Sequence, residues 1–171
     1  MEDEEKQGMN RLYDLLDNLI QLHKALYTLA MHKKEVLVKG NVDELIAITR
    51  QEQKLIKGVT EAEVARQQVV KELTAQKGFA LQEGTLAELI KLTTSAEEKM
   101  RLTSCRNELS RIVTELRDAN DLNQQLLEQS LSFVNMTLDL ITDTPEDDFI
   151  YGRPTSDTYR QANRTFFNKK A

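Results

Sequence analysis

The sequence predicts an all-α protein: an elongated antiparallel helical bundle of three long helices plus one short helix, with a flexible C-terminal tail. Charged residues make up 30% of the 171 residues and aromatic residues only 5%, with two prolines and no tryptophan, a composition typical of long amphipathic helices. Apolar residues also recur at alternating steps of three and four, which places them on one face of a helix. We expect a bundle over residues 1–142 and a disordered tail over 143–171.

The first helix is predicted from about Met9 to Val38. Its leucines follow a heptad spacing: Leu12, Leu15, Leu19, Leu22, Leu26 and Leu29. Gly40 ends this helix. Asn41, with Glu44 three positions later, is typical of a capping box and starts a second helix from Val42 to about Ala75.

Two further capping boxes indicate where the remaining helices begin. They are formed by Thr85 with Glu88, and by Ser95 with Glu98. They start a short helix, Leu86 to Leu92, and a final helix that continues to Ile141. At 1.5 Å per residue the final helix is about 70 Å long, and we expect it to be the spine of the bundle.

Two apolar rows occupy the end of the final helix. The first row continues the narrow stripe that the helix carries upstream, and consists of Leu127, Leu131, Val134, Leu138 and Ile141. The second row appears only here, and consists of Leu122, Leu126, Phe133, Met136 and Leu140. Together they widen the apolar arc from about 120° to about 220°. Residues 129–138 carry no charge. The second row is therefore a candidate surface for a partner protein, with internal packing or a homodimer contact as the alternatives.

No catalytic or metal-binding motif is present. There is no HExxH, no CxxC pair, no GxGxxG and no P-loop, so we predict neither an enzyme nor a cofactor nor a metal site. Glu52 and Arg66 interrupt the stripe of the second helix, and a polar layer or a position at the bundle edge is favoured over a catalytic pair. Cys105 falls on the apolar stripe of the final helix, as expected for a buried small side chain.

Charge and hydropathy narrow the location and the partners. A net charge of −5 argues against a general nucleic-acid binder. The acidic beginning, MEDEEK, is unlike a secretory signal, and no apolar run approaches the roughly 20 residues of a membrane span. We expect a cytoplasmic protein without membrane insertion. In the tail, Phe149, Ile150 and Tyr151 lie just beyond the second row and are candidates for docking onto it.

The run from Asn123 to Leu131, with its continuation from Phe133 to Leu140, resembles the C-terminal helix of FlgN-type flagellar export chaperones. The stretch KGNVDELIAITRQEQKLI is similar to an early segment of the same family. This resemblance implies a cytoplasmic chaperone that holds hook-associated proteins by a helical terminal segment, keeps them monomeric and presents them to the flagellar export apparatus.

A structural coiled-coil protein is the alternative of another class. It would be a homo-oligomeric scaffold or an accessory component of an export ATPase. The chaperone hypothesis requires the second row to be open in the monomer, whereas the scaffold hypothesis requires it to be buried in a stable homo-oligomer.

Overall fold

The structure, a computed structural model, describes residues 2–76, 78 and 85–142. The helices in this part of the chain are α1 (Glu2–Lys39), α2 (Val42–Gln76), α3 (Leu86–Leu92) and α4 (Ala96–Thr142). The all-α fold with three long helices and one short helix is confirmed. The predicted tail lies outside the described residues.

Helix α1 begins seven residues earlier than Met9, the residue at which the sequence predicts its start. The residues before Met9 have no apolar period, so periodicity gives no signal there. They are rich in acidic side chains, which are favourable at the positive N-terminal end of a helix, and Glu and Lys are good helix formers.

Contacts along the helices give their directions. Between α1 and α2, Gly8 meets Leu73 and Lys33 meets Glu52. Between α1 and α4, Tyr13 meets Arg101 and Ala30 meets Asn123. Residue numbers fall along α2 as they rise along α1, so these two helices are antiparallel. Along the contacts between α1 and α4, the residue numbers of both helices rise together, so α1 and α4 are parallel. Helix α2 runs in the opposite direction to both.

Helix α1, rather than α4, is the spine. Its backbone lies beside both α2 and α4, whereas in the described residues no Cα atom of α2 comes within 8 Å of one in α4. The prediction that α4 would be the spine was based on its length alone. Length does not decide which helix is central; the leucines of α1 cover enough of its circumference to contact a neighbour on either side.

The hydrophobic core lies at the end of the bundle where α1 begins and α2 ends, which we call the closed end. Its buried members come from all four helices: Met9, Leu12, Tyr13, Leu16, Val69, Val70, Leu73, Leu89, Ile90 and Leu102. Fully burying an aliphatic side chain of this kind stabilises the fold by about 1.5–3 kcal/mol. The other end, at the turn between α1 and α2, is the open end.

The turn at the open end follows the sequence signals in a modified form. Gly40 has φ 66°, a left-handed conformation that glycine adopts without strain. The Asn41 side-chain oxygen accepts from the Glu44 N–H at 3.3 Å, and its amide nitrogen donates to the Glu44 carboxylate at 2.9 Å. The backbone N–H of Asn41 donates instead to the carbonyl of Val36 at 3.2 Å. The cap therefore closes through the Asn41 side chain.

The other two predicted caps form to different degrees. Thr85 and Glu88 make both bonds of the capping box, side chain to backbone in each direction. At the start of α4, Ser95 Oγ accepts from the Glu98 N–H at 3.4 Å. Both predicted helix starts are thereby confirmed.

Candidate partner-binding surface

Helix α4 continues beyond the point where α1 ends. Leu37 and Gly40, at the open end, share a surface depression with Leu126 and Phe133 of α4. From Phe133, α4 continues to Thr142, roughly 13 Å further at 1.5 Å per residue. We call residues 126–142 the α4 arm, because its last turns extend past the bundle.

The second row predicted from the sequence lies on one side of α4. At 100° per residue its five members fall within an arc of about 80°. Leu126 is half-buried and Leu122 is 39% exposed, since both still lie beside α1. Phe133, Met136 and Leu140 are 66%, 56% and 68% exposed. The structure thus brings the five residues together, with the three on the arm open to solvent.

The first row is exposed on the arm as well. Leu131, Val134, Leu138 and Ile141 are each more than half exposed. The first row continues the upstream stripe in sequence, but beyond Leu127 it does not pack against the bundle. The physical reason is the length of the neighbours: α1 ends at Lys39 and α2 begins at Val42, so neither helix reaches the last turns of α4.

Three hydroxyl side chains of the arm form hydrogen bonds within their own helix. Ser130 Oγ donates to the carbonyl of Leu126 at 2.9 Å, Thr137 Oγ1 to that of Phe133 at 2.8 Å, and Thr142 Oγ1 to that of Leu138 at 2.9 Å. The hydroxyl hydrogens of these side chains are thus donated to backbone carbonyls of their own helix. The arm consequently exposes a large apolar surface, the kind that marks an interaction site.

A groove opens beside the arm, between α2 and α4, with α1 as its floor. Its volume is about 380 Å³. We call it the α2–α4 groove, and its lining residues are Leu26, Lys33, Leu37, Leu45, Glu52, Ile56, Leu116, Asn120, Asn123, Gln124 and Leu127. Six of these are aliphatic, and the groove joins the first row of the arm at Leu127.

The polar residues that line this groove are Lys33, Glu52, Asn120, Asn123 and Gln124, and the most buried of them are Lys33, Glu52 and Asn123. Lys33 Nζ donates to Glu52 Oε2 at 2.7 Å, and both side chains are largely buried. Asn123 is 4% exposed; its amide nitrogen donates to the carbonyl of Ala30 at 2.7 Å, while its side-chain oxygen is buried without a hydrogen-bond partner in the described part of the chain. Sequence reasoning missed both Lys33 and Asn123. The signal for Lys33 was its place in the heptad row of α1, seven residues after Leu26.

The other stripe-interrupting residue, Arg66, has a separate role from Glu52. Its guanidinium donates to the carboxylate of Glu63 on the same helix at 2.6 Å. This hydrogen bond is the main reason that the pKa of Glu63 lies below its ordinary value. Arg66 is buried at the edge of the core and Glu52 belongs to the groove, so the two do not form a joint layer.

Cys105 behaves as a structural residue. It is half-buried and packs against the core at the closed end. Burial is the first cause that raises the pKa of its thiol, so the reactive thiolate is disfavoured. The sequence interpretation of Cys105 as a small apolar side chain fits this environment.

The described residues give no sign of metal chemistry or of a membrane span. Within residues 2–76, 78 and 85–142, no group of three or more His, Cys, Asp or Glu side chains could hold a metal ion. No described helix combines the length and the apolar content needed to cross a bilayer. Phe149, Ile150 and Tyr151, the candidates for tail docking, lie outside the described residues.

The fold and this surface define an all-helical protein with two exposed apolar rows at the end of its last long helix. The FlgN protein family matches residues 8–157, which is most of the chain, so the chain belongs to the FlgN family of flagellar export chaperones. The chain is also 29% identical over 161 residues to the uncharacterized protein YvyG of Bacillus subtilis (strain 168), which covers 94% of this chain and 97% of that one. No solved structure matches the chain.

Proposed function

We propose that this protein is a cytoplasmic chaperone that binds hook-associated flagellar proteins through the second row of α4, keeps them monomeric and presents them to the export apparatus. The observation that carries the proposal is the exposure of Phe133, Met136 and Leu140 on an arm that the bundle leaves uncovered. Membership of the FlgN family supplies the class of partner.

The physical basis of binding is a helix laid along an apolar row. An amphipathic terminal segment of the partner would bury roughly 600 Å² of apolar surface, a gross gain of about 15 kcal/mol. Loss of rotational freedom and side-chain ordering would remove much of this gain, which leaves micromolar or tighter affinity within reach. A partner segment held this way cannot use its apolar face to associate with other copies, so it stays monomeric.

Isothermal titration calorimetry with the C-terminal helical segment of a hook-associated protein from the same cell tests this proposal. The central variant is Met136→Asp, and the matched control is Met100→Asp. The control replaces the same residue type on the same helix, at a site that is 69% exposed and close to the closed end. Loss of a central apolar contact and burial of a charge should weaken binding by about 30-fold or more. The control should bind as the wild type does.

Phe133→Asp and Leu140→Asp extend the test along the row, and circular dichroism checks that every variant is still helical. If Met100→Asp weakens binding as much as Met136→Asp, the effect is not local and the second row is not the site. Sedimentation of the unliganded protein at low micromolar concentration separates the alternative function, because a scaffold would be a homo-oligomer whereas the proposed chaperone should sediment as a monomer.

A further inference from the structure

The α2–α4 groove corresponds to the position of a fourth long helix. We propose that a second amphipathic helical segment of the exported partner fills this position, end to end with α3 and continuing along the first row of the arm. The inference rests on the proposed function and deepens it: the partner supplies two helical faces, one for each side of α4.

Helix α3 shows what this position accepts. It lies against α2 and α4, and in the described residues its Cα atoms do not come within 8 Å of those of α1. Its Leu89 and Ile90 are buried between the long helices. With seven residues, α3 is about 10 Å long, so it fills the position only at the closed end.

The groove is the continuation of the same core face. Each long helix contributes a groove residue that lies fourteen positions from a fully buried core residue, and the pairs are Leu26 with Leu12, Ile56 with Val70, and Leu116 with Leu102. Two heptads separate the members of each pair, so they lie on nearly the same side of their helix. The groove therefore has the apolar character of the core, and no helix of the described residues covers it.

The length of this fourth-helix position can be measured along α4. It begins near Leu116 in the groove, passes Leu127, where the groove meets the first row, and ends at Ile141. At 1.5 Å per residue this distance is about 37 Å, which corresponds to a helix of about 25 residues.

The polar features of the groove restrict the buried face of that helix. The Lys33–Glu52 ion pair is internally neutral, so it offers no charge for a partner to match. The buried Asn123 side-chain oxygen lacks a donor in the described part of the chain, which is unfavourable. The occupying helix is therefore expected to be uncharged on its buried face.

One helix cannot occupy both sites. At 100° per residue, the centres of the first and second rows lie about 135° apart on α4. A packed helix contacts its neighbour along one narrow stripe. The segment bound on the second row thus leaves the groove and the first row available to a second segment.

Titration with a purified full-length hook-associated protein tests the inference. The variant is Ile56→Asp, on α2 in the groove. Ile56 is 54% exposed, so the change is expected to leave the fold intact, which circular dichroism checks. The matched control is Val64→Asp, also β-branched, also on α2 and 64% exposed, but outside the groove. Ile56→Asp should weaken binding of the full-length partner by about tenfold or more, while Val64→Asp should not.

The isolated C-terminal segment provides an internal comparison, since it should bind Ile56→Asp as it binds the wild type. A second readout uses a benzophenone attached at Ile56→Cys in a Cys105→Ala background, with Val64→Cys as its control. Irradiation should attach the full-length partner at the first position and not at the second.

Several results would overturn the inference. Unchanged affinity of Ile56→Asp for the full-length partner, together with loss of binding in Phe133→Asp, would reject the groove and keep the proposed function. Tighter binding by Ile56→Asp would mean that the tail or a second copy of this chain normally fills the groove, and sedimentation would tell these apart. Absence of binding by the wild type would reject the inference and the proposed function together.

Discussion

Replacing one leucine at each end of α4 tests whether the arm is free in the protein alone. Leu102 is fully buried at the closed end, whereas Leu140 is 68% exposed on the arm. A Leu→Ala change in a core costs about 2.7–5 kcal/mol because it loses burial and leaves a cavity. A change at an exposed site costs less than about 0.5 kcal/mol.

For a chain of this size 1 kcal/mol corresponds to roughly 2–4 °C in Tm. Leu102→Ala, at about 3–4 kcal/mol, should then lower the Tm by roughly 6–16 °C, while Leu140→Ala should leave it within about 2 °C. The assay is thermal and urea unfolding by circular dichroism at two protein concentrations tenfold apart.

The reasoning is refuted if Leu140→Ala destabilises the protein by 2 kcal/mol or more, on the order of a core truncation. Leu140 would then be covered. A Tm that rises with protein concentration would identify a second copy of the chain as the cover, since association stabilises by mass action. A Tm that does not change with concentration would identify another part of the same chain.

Three further predictions concern the stability of the bundle. Gly58→Ala should raise the free energy of unfolding by about 0.5–1 kcal/mol in urea titrations, because alanine has a higher helix propensity than glycine. The new Cβ would lie 3.5 Å from Leu22 Cδ2, an ordinary van der Waals contact. A loss of stability would mean that Leu22 cannot accommodate the added methyl group. Thr85→Ala should cost about 1 kcal/mol by removing a cap. The N–H and hydroxyl of Thr85 hold the pKa of Glu88 below its ordinary 4.5. This stabilisation is present above the unfolded-state pKa and is lost as the pH falls through the folded-state pKa, so Glu88→Gln should flatten the loss of stability below about pH 5; an unchanged slope would contradict this role.

The helices could be predicted because their determinants are local. The heptad leucines predict α1, and three capping signals specify where α2, α3 and α4 begin; at each of these starts the cap side chain accepts from the backbone N–H three positions later. The beginning of α1 and the central position of α1 were not predictable in this way. The first depends on charged residues without a period, and the second depends on which helix has neighbours on two sides.

The site could be predicted only as far as a single helix determines it. Periodicity places Phe133 and Leu140 on one side of α4 whatever surrounds them. Their exposure, and that of Leu131 in the first row, depends on where α1 and α2 end relative to α4, which is a comparison of lengths and registers between helices. The groove further depends on α3 ending after Leu92, and the role of Asn123 depends on its meeting Ala30, 93 residues away.

The hydroxyls of the arm have a consequence for how a bound helix can be aligned. Ser130, Thr137 and Thr142 already donate their hydroxyl hydrogens to carbonyls of their own helix, so toward a bound helix they can act only as hydrogen-bond acceptors. On the first row of the arm, a helix displaced by one turn, about 5.4 Å, meets leucine, valine or isoleucine again. We therefore expect alignments one turn apart to be close in energy. A surface of this kind suits a carrier that must hold different cargoes in turn and release each of them.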